Sequence, residues 1–492
     1  MTTTAAGQAE ATFAGQDLQN QFIAGQWRQG RSSRVLTDIN PFDDSTVAVI
    51  AQASVEDLEE AYTSAEDAQA AWASTSPAER AGIIRRAAEI LEERREEIVH
   101  WLVAEAGSTL LKANIEVSLA AGITMESASF PTRVHGTIMP SNTPGRETRV
   151  YKKPVGVIGV ISPWNFPLHL SQRSVAPALA LGNAVVLKPA SDTPITGGLL
   201  LARVFEEAGL PAGVLSVLVG SGSEIGDDFV AHRVPRLISF TGSTPVGQHV
   251  AQVATSGEHL KKVALELGGN APMVILDDAD LHNAVEQAIT GAFLHSGQIC
   301  MSTNRIIVQA PVYDAFVQKF TAAARQVPFG DPSAEGTLVG PVVNDTQAAG
   351  LQAKVDEALR AGATAVVSGE IDNRMVPPHV FADVTPDMDI AREEIFGPMV
   401  AVLKADSEEH ALELANDHVF GLSSSVFTQN LERGVAFAQR IKAGMSYVNE
   451  MTVQDEAHIA FGAERNSGLG RFNGEWVIEE FTTDHTIGVK RI

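Results

Sequence analysis

From Tyr151 onward the chain alternates short Val- and Ile-rich runs with helical stretches, and this rhythm limits the fold more than any other feature. The runs GVIGVIS, NAVVLKP, GVLSVLVG and RLISFTG are apolar throughout, the pattern of strands buried on both faces. Each is followed by a loop marked by Gly or Pro and then by a helical stretch. That order predicts a parallel sheet with crossover helices. A second series, APMVILDD, RIIVQ, ATAVVSG and PMVAVLKA, falls between about Lys262 and Val448. The simplest reading is two α/β domains, since 492 residues exceed the ~250–300 at which one core stops growing.

The first 150 residues read differently. Residues 1–20 are small and polar and are expected to lack order. QFIAGQWRQG, from Gln21, predicts a hairpin with a Gly-containing turn. A helix is expected from near Ser54. A second begins SPAER, with Ser76 as N-cap, Pro77 at the first helical position and Glu79 closing a capping box. Its periodicity runs through Ile83, Ile84, Ala87, Ile90, Leu91, Ile98 and Leu102. At the other end, DHTIGVKRI predicts a projecting edge strand, which invites pairing with another subunit.

The chain has one cysteine, so no disulfide forms within it, and a reducing, cytoplasmic setting is expected. The opening MTTTAAGQAEATFAGQ lacks the basic and apolar regions of a secretory leader. A formal charge of -24 disfavours nucleic acid and anionic membrane as partners. The most apolar stretch, Val175 to Leu187, is shorter than the ~20 residues of a membrane helix and contains Asn183.

Several short motifs bear chemistry. GSGSEIG (Gly220 to Gly226) and GSTPVG (Gly242 to Gly247) each follow a strand and compete as a phosphate cradle at a helix N-terminus. A plain strand-to-helix turn explains either equally. In LKPAS, Lys188 offers a hydrogen-bond donor to ribose or phosphate, against the ordinary reading of an exposed strand-end lysine. In PWNFP, two prolines stiffen the backbone around Asn165, whose amide could serve an oxyanion. The alternative is a rigid turn that packs Trp164 and Phe166. In ELGGN, Glu266 ends an apolar strand, which suits a general base of raised pKa or a salt-bridged structural glutamate. In GQIC, the lone Cys300 reads alone as a small buried hydrophobe, and reactivity would need a base or an electropositive pocket. In EEIFGP, adjacent carboxylates point apart, so a glycosidase-like pair carries little weight. No metal-binding motif is present, and no metal is expected.

In order and spacing, PWNFP, LKPAS, FTGST-x-VG, ELGGN, G-x-x-C and EEIFGP resemble the aldehyde dehydrogenase superfamily over nearly the whole chain. Longer stretches, such as SPWNFPLHLSQRSVAPALALGNAVVLKPASDTP and GAFLHSGQICMS, are similar to its bacterial vanillin and benzaldehyde branch. The resemblance implies a Rossmann-type cofactor domain (1–131 and 152–265), an α/β catalytic domain (266–450) and a small β oligomerisation arm (132–151 and 480–492). Residues 451–479 would return to the body, and the assembly would be a homodimer or homotetramer. Cys300 would be the nucleophile. Asn165 and the Cys300 N–H would form the oxyanion hole, and Glu266 would activate the deacylating water. Lys188 would hold the adenine ribose, Gly242 and Ser243 the pyrophosphate, and Glu394 the nicotinamide ribose. Trp164, Gly247 and Phe396 would complete the cofactor site.

Two departures matter. Many NAD-preferring relatives carry Glu where this chain has Ser191, so NADP is expected to be accepted, with or without NAD. A second glutamate that follows SGxGR in some relatives is here Phe472, and its role is not transferred to Glu475. Phe166 and Phe461 match tunnel positions, with His169 and Arg173 alongside, which suits an aromatic aldehyde. The rivals are a succinate-semialdehyde-type enzyme, for which Arg173 is the candidate cation, a CoA-acylating enzyme, and a silent binding protein.

Overall fold

The computed structural model describes residues 12–490. The expectation of disorder over residues 1–11 falls outside them. Over 12–20 it is corrected: Thr12–Phe13 pairs antiparallel with Gln16–Asp17, and Phe13 and Leu18 are fully buried. These two apolar side chains anchor an otherwise polar segment.

The hairpin at Gln21 forms as Gln21–Ile23 and Gln26–Arg28, turning through Ala24 and Gly25, the latter at φ +80°. The helix Val55–Ser74 carries a complete capping box between Ser54 and Asp57. At Ser76 the box is half formed. The Ser76 hydroxyl accepts from the Glu79 N–H at 3.2 Å, but the Glu79 carboxylate does not return the bond. The long second helix is also broken at Arg94 into Pro77–Glu93 and Arg95–Ala106. Arg94 leaves the helical region to lie over the Phe13 ring and pair with Glu207, and each half then buries its own apolar stripe.

Two large sheets organise the chain. The first has eight strands. Its parallel centre comprises Val157–Ile161, Ala184–Lys188, Leu215–Val217, Leu237–Thr241 and Lys262–Glu266. Lys262–Glu266 therefore belongs to this sheet rather than to the second series, because it pairs in parallel with Leu237–Thr241, Glu266 opposite Thr241. Numbered along the chain, these five strands lie in the spatial order 3-2-1-4-5. The second sheet has seven strands, parallel except where Thr364–Val367 meets His379–Ala382. The chain crosses from one sheet to the other through Leu267–Asn270, between Lys262–Glu266 and Ala271–Ile275. Thr482–Lys490, Arg146–Pro154 and Thr137–Pro140 form a separate three-stranded sheet, with Thr482–Lys490 at its edge. Among the described residues, no helix is long and apolar enough to cross a membrane.

Candidate active site

In a doubly wound sheet, ligands lie outside the carboxyl ends of the strands at the point where strand order reverses. Here that point is between Val157–Ile161 and Leu237–Thr241, which are neighbours in space but not in sequence. Asn165 follows the first of these strands and Gly242–Ser243 the second. A cleft of about 210 Å³ opens between them. Trp164, Gly242, Ser243, Glu394 and Phe396 line it, as do Asn165 and Cys300. The other glycine-rich loop, Gly220 to Gly226, does not. The structure thus separates two cradles that the sequence left level.

The cleft brings together an open helix start, an aromatic wall and a carboxylate. Ser243 precedes the helix Thr244–Ser256 and makes no capping bond with its side chain, so the Thr244 and Val246 N–H groups of the first turn are open to an anion, Pro245 having none and Gly247 bonding back to Ser243. Trp164 and Phe396 meet edge to face at 5.3 Å and form an apolar wall. Glu394 accepts a 2.8 Å bond from the Gly269 N–H, while Glu393 turns outward to Lys354 at 2.8 Å. Burial pushes the Glu394 carboxyl up to about 7, against the opposing pull of that N–H and of Lys354. Gly247 lies inside the helix rather than on the cleft, and a Cβ there would overlap Leu267, so its part is close helix-to-strand packing. Lys188 and Ser191 are not among the cleft-lining residues. Lys188 ends its strand, and burial lowers its ammonium to about 8.

Cys300 follows a tightly pinned turn. His295, Ser296 and Gly297 all take positive φ, at 51°, 55° and 67°. The Ser296 hydroxyl donates to the Gly340 carbonyl at 2.9 Å, and Gln298 Oε1 accepts from the Val343 N–H at 3.0 Å. Asn165 Nδ2 donates to the Gln298 carbonyl at 2.9 Å, tying the amide loop to the thiol loop. One N–H of that amide serves as the anchor, and the other has no partner among the described residues. The carboxylate Oε1 of Glu116 holds the helix after Asn165 from its start, accepting from the Leu168 and His169 N–H groups at 2.9 and 3.2 Å. Glu116 is in turn paired with the fully buried Lys112 at 2.5 Å.

Glu266 ends its strand buried, and neither carboxylate oxygen has a partner among the described residues. Burial pushes it up to about 8, opposed by Arg173 and Arg471 and reinforced by Asp455. The salt-bridged alternative is thus absent, and what remains is a buried carboxyl free to exchange a proton. The Cys300 thiol is pushed up to about 12, first by burial, then by the carboxylates of Glu266, Glu394 and Asp455, with Arg173 opposing.

A second cavity of about 260 Å³ lies on the other side of Cys300. Asn165, Leu170 and Cys300 line both cavities. Phe166, Ile299, Met301 and Phe461 give the second one apolar walls, and His169, Arg173 and Asp455 a polar patch. Asp455 Oδ2 accepts from the Arg173 Nη2 and lies 2.8 Å from His169 Nε2, while Oδ1 accepts from Asn473 at 2.8 Å. The Arg173 guanidinium, helped by the hydrogen bonds from His169 and Asn473, holds the Asp455 carboxyl well below the usual range despite its burial. Sequence reasoning missed Asp455. It lies 282 positions from Arg173, in a stretch without motif or periodicity, and only the fold brings it there.

A sequence profile of the aldehyde dehydrogenase family matches residues 27–487. The chain is 62% identical over 481 residues to a vanillin dehydrogenase of Corynebacterium glutamicum, covering 98% of this chain and 99% of that one. It is 48% identical over 478 residues to a benzaldehyde dehydrogenase of Bacillus subtilis, covering 97% and 98%. The crystal structure of an NAD-dependent benzaldehyde dehydrogenase from Corynebacterium glutamicum superposes with a TM-score of 0.91 at 59% identity, over 98% of this chain and 100% of that one.

Proposed function

The chain belongs to the aldehyde dehydrogenase family, and from that premise we propose that it oxidises aromatic aldehydes of the vanillin and benzaldehyde type to carboxylic acids with NAD or NADP, through a covalent intermediate on Cys300. The observation that carries the reading is that Cys300 and Asn165 line both cavities, so a carbon bonded to the sulfur is reachable from the cofactor side and from the aromatic side.

The chemistry follows from the residues. A carbonyl carbon is a poor hydride donor until it becomes tetrahedral. The Cys300 thiol first gives up its proton to solvent, and attack by the resulting thiolate forms the C–S bond and leaves the negative charge on the former carbonyl oxygen. The free N–H of Asn165 and the backbone N–H of Cys300 are the donors for that oxyanion. When bound, the nicotinamide supplies the hydride acceptor that turns this adduct into a thioester. Glu266 then takes a proton from water as the water attacks the thioester, which releases the acid and restores the thiol. Gly242, Ser243, Glu394, Trp164 and Phe396 hold the cofactor, with Gly247 packing behind. Lys188 would hold the adenine ribose, and the small neutral Ser191 would favour neither cofactor strongly. Phe166 and Phe461 flank the substrate ring, with His169 and Arg173 at its polar side.

We assign residues 1–131 and 152–265 to cofactor binding, 266–450 to catalysis, and 132–151 with 480–492 to an arm that pairs subunits into a dimer or tetramer, with 451–479 returning to the body. An edge position for Thr482–Lys490 and the single thiol support an oligomer working in the cytoplasm.

The rival substrate, a carboxylate-bearing semialdehyde, needs an unpaired cation, and Arg173 is taken by Asp455. The test is a panel of benzaldehyde, vanillin and succinate semialdehyde with NAD and with NADP, without CoA. Preference for the aromatic aldehydes is expected, and preference for the semialdehyde or a need for CoA would overturn the reading. Cys300→Ala should abolish oxidation and still bind cofactor.

A further inference from the structure

The second cavity is lined mostly by apolar side chains but holds one ion pair, Arg173 with Asp455, and an ion pair is costly to keep beside an apolar ligand unless it serves recognition. Arg173 and His169 stand four residues apart on the helix Pro167–Ala180 and so share one face. The Arg173 guanidinium carbon lies over the Phe461 ring, 3.8 Å from its centre. Its Nη2 contacts both Asp455 and His169. Its Nε is sealed in without a partner, whereas Nη1 is neither bonded nor sealed off among the described residues. Arg173 lines the pocket with the Nη1 donors unpaired among the described residues, and Asp455 already balances its charge.

We propose that Asp455 is the specificity-determining residue of this pocket: held against Arg173, it leaves hydrogen-bond donors for a neutral ring oxygen while removing the net positive charge that a carboxylate would seek. The pocket then takes uncharged aromatic aldehydes that carry hydroxyl or methoxy groups, and it rejects aromatic aldehydes that carry a carboxylate. Rejection comes from Asp455 itself, a carboxylate that a second one would face at close range with no cation to spare. Asn473 fixes the carboxylate from behind through Oδ1, so Asp455 cannot swing away without breaking that bond. This assignment rests on the aromatic-aldehyde reading above.

The test compares kcat/KM of the full-length chain for benzaldehyde, 4-hydroxybenzaldehyde and 4-formylbenzoate. Asp455→Asn should raise the ratio of 4-formylbenzoate to benzaldehyde by about tenfold or more, because Arg173 is then left without its counter-charge. The double variant Arg173→Met with Asp455→Leu removes the pair without leaving a lone charge, and so decides the matter if the single variant does not fold. It should also gain toward 4-formylbenzoate, though less than Asp455→Asn does, because the repelling carboxylate is gone but no cation is freed, and it should lower the ratio of 4-hydroxybenzaldehyde to benzaldehyde by about tenfold, the loss of a charged hydrogen bond. Unchanged ratios in a wild type that oxidises benzaldehyde would overturn the role of Asp455 alone. A wild type that oxidises no aromatic aldehyde would overturn both this role and the reading beneath it.

Discussion

Gly269 packs against Cys300 so closely that a single methyl group on the glycine would overlap the carbonyl oxygen of the cysteine. Gly268 does the same to the carboxylate of Glu394. The two glycines of ELGGN lack the Cβ that would keep other groups at a distance. Their main effect is to let the thiol loop and the Glu394 loop approach the strand that ends in Glu266. Gly269→Ala must then displace the backbone of Cys300. A misplacement of about 1 Å costs on the order of a hundredfold in rate, so kcat for benzaldehyde should fall by that order. Cofactor binding, followed by fluorescence quenching, should change little. A variant of wild-type activity would show that the contact is not needed.

Asn165 is held by its bond to the Gln298 carbonyl, which leaves its other N–H for the oxyanion. Asn165→Ala should lower kcat by about 10²–10³, the usual cost of losing one such donor. Steady-state kinetics should put the loss in kcat rather than in KM. A loss confined to KM would make Asn165 a packing residue.

Glu266 must be ionised to accept a proton from water, and burial holds its proton up to about 8. The hydrolytic step should therefore speed up as pH rises through about 8. Glu266→Gln should remove that limb and lower kcat by about 10²–10⁴. Stopped-flow traces should then show one rapid turnover of reduced cofactor followed by a slow steady state. The same shift acts on stability. From the ordinary value of 4.5 up to about 8 the folded chain holds a proton that the unfolded chain has lost, so folding weakens as pH rises through that window. In thermal melts above pH 8, Glu266→Gln should melt higher than the wild type. Equal melts at all pH values would contradict the burial of this carboxyl.

Lys112 and Glu116 form a fully buried pair that starts the helix after Asn165, and Lys112 Nζ lies 4.3 Å from the centre of the Phe166 ring. Breaking such a pair by removing one partner costs about 3–5 kcal/mol. Lys112→Met should lose stability of that order in urea denaturation. A loss under about 1 kcal/mol would mean that the pair behaves like an exposed one.

Much of this was legible before any coordinates. The uninterrupted apolar strands and their Gly-marked loops give the parallel sheets, because burial on both faces leaves no polar alternation to read. Asn165, Glu266, Cys300, Gly242 and Glu394 each sit where a strand or a tight turn ends, and such positions carry local punctuation. The unread parts lack it. Lys112 and Glu116 are spaced like an ordinary surface pair, and nothing local says that this face of the helix is buried. Asp455 is joined to Arg173 only by tertiary folding. The break at Arg94 was hidden because Ile98 and Leu102 are as buried as the residues before it, so the apolar pattern ran on across the change of direction. Ser54 and Ser76 offer similar caps, and only the first closes its box, since Asp57 turns back to the Ser54 N–H and Glu79 does not reach that of Ser76.

Cys300 is the only cysteine of the chain, and it stands where the two cavities meet. With the role proposed for Cys300, every thiol measured on this protein is a reaction centre. A thiol-specific reagent titrates active sites without a background to subtract, and the mass added per chain reports the fraction of molecules in working order. The same singleness means that oxidation has one address: a preparation that loses its free thiol loses its activity in the same proportion, with no structural crosslink inside the chain to mask the damage.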